Sequence, residues 1–340
     1  MDILIKSFNR PFYLDRCLQS IYKFVEGNFD VKILDDGTPE KYLEKIQEKY
    51  PKIEIFKSEN YLKKTKSIEE NLKSGKEIDG FEIPTKLWTN AAKNASEYFI
   101  MTEDDVWFTG KINLDFLEKK MREYDMALIK LGWISNRNIN AEQILIPETD
   151  IISLKPKIFT APRKIMNYFF DNQFKFFSFL YKLKLVDNNT KNDYWIMNSL
   201  LMGIYNKRYW LKVWEKIDGK VDEKLQIKNA VQWFRKHRKN PHNFNKLETL
   251  KMNTTFISSA TNSYHQYQTD CDINVFNHIM SEEWYRGNLD ALENFPKDFS
   301  EDYFVNFLDQ RNHPKCFSEV WKKWAENFKE QYRKQDVTVD

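Results

Sequence analysis

The chain is poor in the residues that announce a function most directly. Three cysteines, Cys17, Cys271 and Cys316, stand far apart in 340 residues. Their odd number and wide spacing fit no disulfide framework and no zinc-site pattern, which points to a reducing, cytoplasmic setting. Only nine glycines are present, so glycine-rich linkers and a multi-glycine phosphate loop are excluded. No apolar run approaches the roughly 20 residues of a membrane span. The opening MDILIKSFNRP lacks a basic stretch followed by a long apolar core, and it reads as a first strand rather than a signal peptide. Neither sign of charge is in excess: 53 basic residues face 50 acidic ones, for a net +3. That balance gives no global field for nucleic acid.

What the chain has is core-forming material. Its hydrophobic fraction is 41% and its aromatic fraction 16%, enough for one large domain or two modest ones. DILIKSF reads as a strand, and NRP opens a helix with Pro11 in its first turn. Leu14, Cys17, Leu18, Ile21 and Val25 recur at helical spacing, with Gly27 as the stop. FDVKILDDG is a second strand, PEKYLEKIQEKY a helix and KIEIFKS a third strand. Residues 61–85 are polar and weakly patterned, and they read as a long loop with at most one helical turn. TKLWTNAAKNAS is a helix feeding the strand EYFIMTEDD. Strands alternating with helices predict a mostly parallel sheet with helices on both faces. Further on, MALIKLGW, DIISLKPKIF, SLLMGIYN and TTFISSAT read as strands, KRYWLKVWEKI and EKLQIKNAVQWFRKH as helices, and the last sixty residues as helical.

Ligands of such sheets collect at the carboxyl ends of the strands. Two acidic groups fall there: Asp35 with Asp36, and Glu103, Asp104 and Asp105. Crowded carboxylates repel one another unless a cation sits between them. Hard cations such as Mg²⁺ and Mn²⁺ prefer carboxylate oxygen and also take phosphate oxygens. The bland alternative is a strand ending in a solvated acidic turn.

Three segments in order, ILIKSFNRPFYLDRCLQSI, VKILDDGTP and LWTNAAKNASEYFIMTEDDVWF, resemble the GT-A fold glycosyltransferases. The likeness is to the large nucleotide-sugar transferase group with an NRP opening and a D-x-D metal motif, and it covers about the first third of the chain. It implies an α/β, GT-A-like (Rossmann-related) fold with a mostly parallel central sheet and a helical C-terminal region. By this resemblance Ser7, Asn9 and Arg10 lie against the nucleotide, and Asp35 or Asp36 reads the base, usually uracil. Lys86 and Asn90 approach the donor. Asp105 is the metal-binding Asp, Glu103 takes the first position of the motif, and Asp104 contacts ribose or sugar. His265 is a further metal ligand, with His278 a weaker rival. The implied cofactor is Mn²⁺ or Mg²⁺. Bland readings stand beside these: Arg10 as a cap or pair at a helix start, Asp36 before Gly37 as turn chemistry, and Lys86 as a solvated charge.

The resemblance further implies a hexosyltransferase-type enzyme using a UDP-sugar and a hydroxyl on a glycan or lipid-linked glycan. Its natural setting is bacterial surface-polysaccharide synthesis at the inner face of the membrane. No clear acidic pair of the usual E-D type is present, so retention stays open beside inversion. Inversion requires a carboxylate base, which related enzymes place at a helix start. Glu223 is the first candidate, Asp222 the second and Asp193 a rival. The expected division is 1–135 for the donor half, 136–280 for the acceptor half and 281–340 for a helical extension. Residues 151–186 carry seven cations against the single Asp171, among dense Phe and Tyr. That composition suits an anionic membrane face, single-stranded nucleic acid, or a helix packed on the catalytic half with its lysines in water. Two rival functions remain: a sugar-nucleotide nucleotidyltransferase, and a non-catalytic glycan- or membrane-binding protein on a degenerate transferase fold.

Overall fold

A computed structural model describes residues 1–76, 82–133, 140–199, 202–260, 267, 269–334 and 336–339. A nine-stranded sheet runs through the centre. In spatial order its strands are Glu54–Lys57, Asp30–Asp35, Asp2–Ser7, Tyr98–Glu103, Gly203–Asn206, Leu128–Lys130, Phe244–Leu247, Ile151–Pro156 and Ala141–Leu145. Pairing is antiparallel wherever Gly203–Asn206 or Ile151–Pro156 takes part and parallel elsewhere. All the other strands therefore point the same way, and their carboxyl ends form one edge.

Alternation along each strand feeds two cores. Ile3 and Ile5 enter one with Ile33, Ile100 and Ile129, under the helix Pro11–Phe24 and the C-terminal helices. Leu4 enters the other with Leu34, Phe99, Met101 and Leu128, under the helices Thr85–Asn94, Lys207–Val213 and Glu223–His237. Helices thus cover both faces, and the C-terminal helices Ile273–Arg286, Glu301–Arg311 and Ser318–Arg333 bury Phe276, Phe304 and Trp321 against the N-terminal half. Arg16, fully buried, locks this packing. It donates to the carbonyls of Ala291 and Glu293 at 3.0 Å and lies 4.5 Å from the Trp107 ring centre. Among the described residues, no helix is long and apolar enough to cross a membrane.

The expected loop at 61–85 is in fact a 14-residue helix, Tyr61–Ser74, followed by the start of the next helix at Thr85. Its inward face is Tyr61, Lys64, Ile68 and Asn71, spaced at three and four residues. Two of the four are polar, so hydrophobic periodicity misses the helix. Their partners lie in other elements: Lys64 pairs with Asp36, and Asn71 donates to Asp272 at 3.1 Å. Among the described residues of TTFISSAT only Thr254 is in a strand, the last residue of Met252–Thr254, which pairs with Val106–Phe108 and so lies beside the acidic triplet. Cys271 and Cys316, remote in sequence, place their sulfurs 3.6 Å apart as buried free thiols.

Candidate active site

The site begins with the first strand and the turn that follows it. Asn9 takes a left-handed backbone (φ 53°). Its backbone N–H donates to Thr38 Oγ1 at 2.8 Å, and its side-chain amide donates to Asn274 Oδ1 at 2.8 Å. That turn lets Arg10, next to the N-terminus of helix Pro11–Phe24, fold back over the sheet edge rather than cap the helix. Arg10 is buried. It reaches Asp104 Oδ1 at 2.5 Å and Asp105 Oδ2 at 2.8 Å. Lys6 pairs with Glu103, its partner in the parallel register, and lies 4.7 Å from the Trp88 ring centre.

The acidic triplet therefore has two internal counterions. Asp104 is fully engaged, since its Oδ2 also accepts from the Phe8 N–H at 3.0 Å. Burial pushes the Asp104 carboxyl up and Arg10 pulls it back, while Asp105 and Glu103 push it up further. Burial also works against the Arg10 charge, but the Asp104, Asp105 and Glu103 carboxylates outweigh it and raise Arg10. Asp105 differs from Asp104 in one atom. Its Oδ1 is buried and has no hydrogen-bond partner.

The second acidic pair serves the turn after strand Asp30–Asp35. Asp35 is fully buried and accepts from the N–H groups of Gly37 and Thr38 at 3.0 and 2.8 Å and from Thr38 Oγ1 at 2.6 Å. Burial pushes it up to about 6, against those hydrogen bonds. Ser7 is its register partner. Asp36 pairs with the buried Lys64, which also donates to the Glu82 carbonyl at 2.7 Å. The structure thus brings Ser7, Asn9, Arg10, Asp35, Asp36, Glu103, Asp104 and Asp105 to one edge.

Other candidates lie elsewhere. Lys86 and Asn90 are exposed on helix Thr85–Asn94, whose Trp88 and Ala92 face inward. Asp222 caps helix Glu223–His237 by accepting from the Leu225 N–H at 2.9 Å. Asp193 accepts from Asn140 at 3.2 Å. Glu223 is exposed at the helix start. It shares a neighbourhood with the triplet through Tyr332, which is pushed up to about 12 by burial, then by Tyr267 and by the Asp105, Glu103 and Glu223 charges. Tyr332 packs on Phe256 at 5.0 Å between ring centres. His265 lies outside the described residues, and among these no group of three His, Cys, Asp or Glu side chains is placed to hold a metal.

Sequence reasoning missed Lys6, Lys64 and Tyr332. Lys6 left a signal, a cation closing an apolar strand run. Lys64 and Tyr332 left none, since they reach the edge only through tertiary packing.

No protein-family model matches the chain, and no curated protein matches it. Among solved structures it is similar to S. aureus TarS 1-349 in complex with UDP-GlcNAc, at 13% identity over 98% of this chain and 91% of that one, with a TM-score of 0.39. It is also similar to the galactosyltransferase LgtC in complex with donor and acceptor sugar analogues, at 10% identity over 75% and 86%, with a TM-score of 0.32. A third is the mannosyltransferase PcManGT from Pyrobaculum calidifontis in complex with GDP-Man and Mn²⁺, at 13% identity over 40% and 35%, with a TM-score of 0.27. Likenesses this distant carry no weight for the chemistry, which rests on the residues at the sheet edge.

Proposed function

We propose that this chain is a glycosyltransferase of GT-A type, moving a sugar from a nucleotide donor, UDP-linked by preference, to a hydroxyl of a glycan or lipid-linked glycan. The observation that carries the reading is Asp105, fixed by Arg10 through one oxygen and left with a buried, partnerless second oxygen. A buried polar atom without a partner needs a reason, and a carboxylate oxygen at a ligand-binding edge is a hard donor suited to Mg²⁺ or Mn²⁺. Asp105 would hold the ion, with Glu103 as second carboxylate. When bound, such an ion offsets the charge developing on a leaving diphosphate.

The chain's own residues do the rest. Arg10 and Lys6 keep three adjacent carboxylates from repelling one another and fix their direction. Asp35 shapes the turn against which the nucleotide rests. Glu223 takes the acceptor hydroxyl proton while that oxygen bonds to the anomeric carbon and the bond to the diphosphate breaks, inverting the centre. Such base catalysis contributes about 10²–10⁴-fold, and Glu223→Gln should lose that much transfer while still binding donor. Full activity in that variant removes Glu223 from the role.

Donor turnover decides among the readings. With Mn²⁺ and no acceptor, a transferase slowly releases nucleoside diphosphate from its preferred nucleotide sugar. A nucleotidyltransferase requires a nucleoside triphosphate and releases pyrophosphate, and a binding protein does neither.

Membrane contact belongs to the same proposal. Phe174 (90% exposed), Phe179, Leu183 and Leu185 stand in water beside Lys175, Lys182 and Lys184. Apolar side chains interleaved with lysines that have no acidic partner among the described residues are complementary to an anionic bilayer surface. Sedimentation with phosphatidylglycerol vesicles should carry the chain down, and phosphatidylcholine vesicles should not. Equal recovery with both would remove this contact.

A further inference from the structure

The same sheet edge holds a second charge cluster of opposite sign, on the side away from Asp35. Lys130 and Lys246 are register partners on adjacent parallel strands, so their side chains leave the same face. That face is set by the residues two positions earlier, Leu128 and Phe244, which are buried in the core under helix Glu223–His237. Met101 and Phe99 enter this core as well, so Glu103, two residues beyond Met101, rises on the same side. Lys130 is level with Met101 through Gly203, the register partner of both. Lys130 is therefore displaced from the Glu103 strand by two strand spacings, about 10 Å, and Lys246 by three, about 14 Å, and Gly203 puts no side chain between Lys130 and that strand.

Neither ammonium has a carboxylate partner among the described residues. Lys130 donates to the Trp195 carbonyl at 2.5 Å, and Lys246 lies 4.8 Å from the Trp133 ring centre. Burial and the Lys246 charge hold Lys130 down at about 7. A third donor ends the same relay. The Trp195 carbonyl also accepts from the Asn198 N–H at 3.1 Å, and Asn198 donates to Gln226 Oε1 at 3.0 Å. Gln226 is fully buried, and its Nε2 has no partner. Two cations side by side cost Coulomb energy, and a buried donor left unpaired adds to it. A bound anion relieves both.

We propose that Lys130 and Lys246 form an anion subsite, backed by Gln226, that takes a phosphate or carboxylate group. On the transferase reading above, on which this assignment rests, the anion belongs to the acceptor. It sits beside the carboxylates rather than on them, so the subsite selects a phosphate-bearing or uronic-acid-bearing glycan over a neutral one.

The test is ligand-detected NMR on the full chain without donor. The probes are glycerol 3-phosphate and glucuronate, with glycerol and glucose as neutral controls. Wild type should bind at least one of the two anions and neither control, and which anion binds tells the phosphate source from the carboxylate source. Lys246→Met and Lys130→Met should each weaken that binding about tenfold, an expected loss of about 1.4 kcal/mol. Lys246→Arg, which keeps the charge, should retain it. Anion binding unchanged in both methionine variants, or absent from wild type, overturns the subsite. UDP binding measured on the same samples keeps the two questions apart. A chain that takes the anion but no UDP retains the subsite and loses the transferase reading, and one that takes UDP but no anion does the reverse.

Discussion

Two clusters on one sheet edge treat charge in opposite ways. At the Glu103 end, three carboxylates face Lys6 and Arg10, each carboxylate has a cation within reach, and the cations come from the first strand and the turn after it. At the Lys246 end, two lysines stand together with a carbonyl and an aromatic ring for company and, among the described residues, no carboxylate. The first cluster is organised by the fold and leaves one buried carboxylate oxygen, Asp105 Oδ1, for a ligand. The second is not neutralised by the fold, and its charge is directed at something the chain does not supply. A compensated cluster is mainly structural, with catalysis confined to what is left unpaired. An uncompensated one has little structural value and is a binding feature.

That contrast is broken most directly at Arg10. Arg10→Met leaves Asp104 buried without its cation, and removing one partner of a buried pair costs about 3–5 kcal/mol. Urea unfolding should show that loss, with part of it restored when Asp104→Asn is added. A change within 0.5 kcal/mol, the ordinary range for a surface substitution, would mean the two ends do not differ. Next in size, Asp105→Asn should lower Mn²⁺-dependent donor turnover by about a hundredfold, the several kcal/mol a metal supplies, with its unfolding midpoint little changed. Retained metal dependence in that variant would reassign the open oxygen.

The smallest effect sharpens the other side. The folded state holds Lys130 at about 7, below the 10.5 of an exposed lysine. Between those values the unfolded chain binds more protons than the folded one, so this group makes stability rise with pH across that window. Lys130→Met should abolish that rise and be no less stable than wild type near pH 7. Chemical denaturation of both proteins at pH 7, 8 and 9 reads the difference, and parallel curves would show that Lys130 is not held down.

Much of the N-terminal third is legible in the sequence alone. The strands at residues 2–7, 30–35, 54–57 and 98–103 and the helices Pro11–Phe24, Glu40–Lys49 and Thr85–Asn94 follow from apolar alternation, from Pro11 and from helical spacing. The two acidic groups at strand ends follow once the sheet is taken as parallel. Helix Tyr61–Ser74 was not legible because half of its buried face is polar. Its identity as an inward face depends on Asp36 and Asp272, remote in sequence, being there to receive Lys64 and Asn71. The lysine pair was equally hidden. Lys130 and Lys246 are 116 positions apart, and nothing local in either strand announces that the other will lie beside it.

The sequence by itself determined where the strands end and that carboxylates would stand there, because alternation and turn chemistry act over a few residues. Only the tertiary structure decided which of those charges are satisfied. Compensation depends on distances of a few ångströms between distant segments, and those distances are set by how two cores pack against the two faces of one sheet.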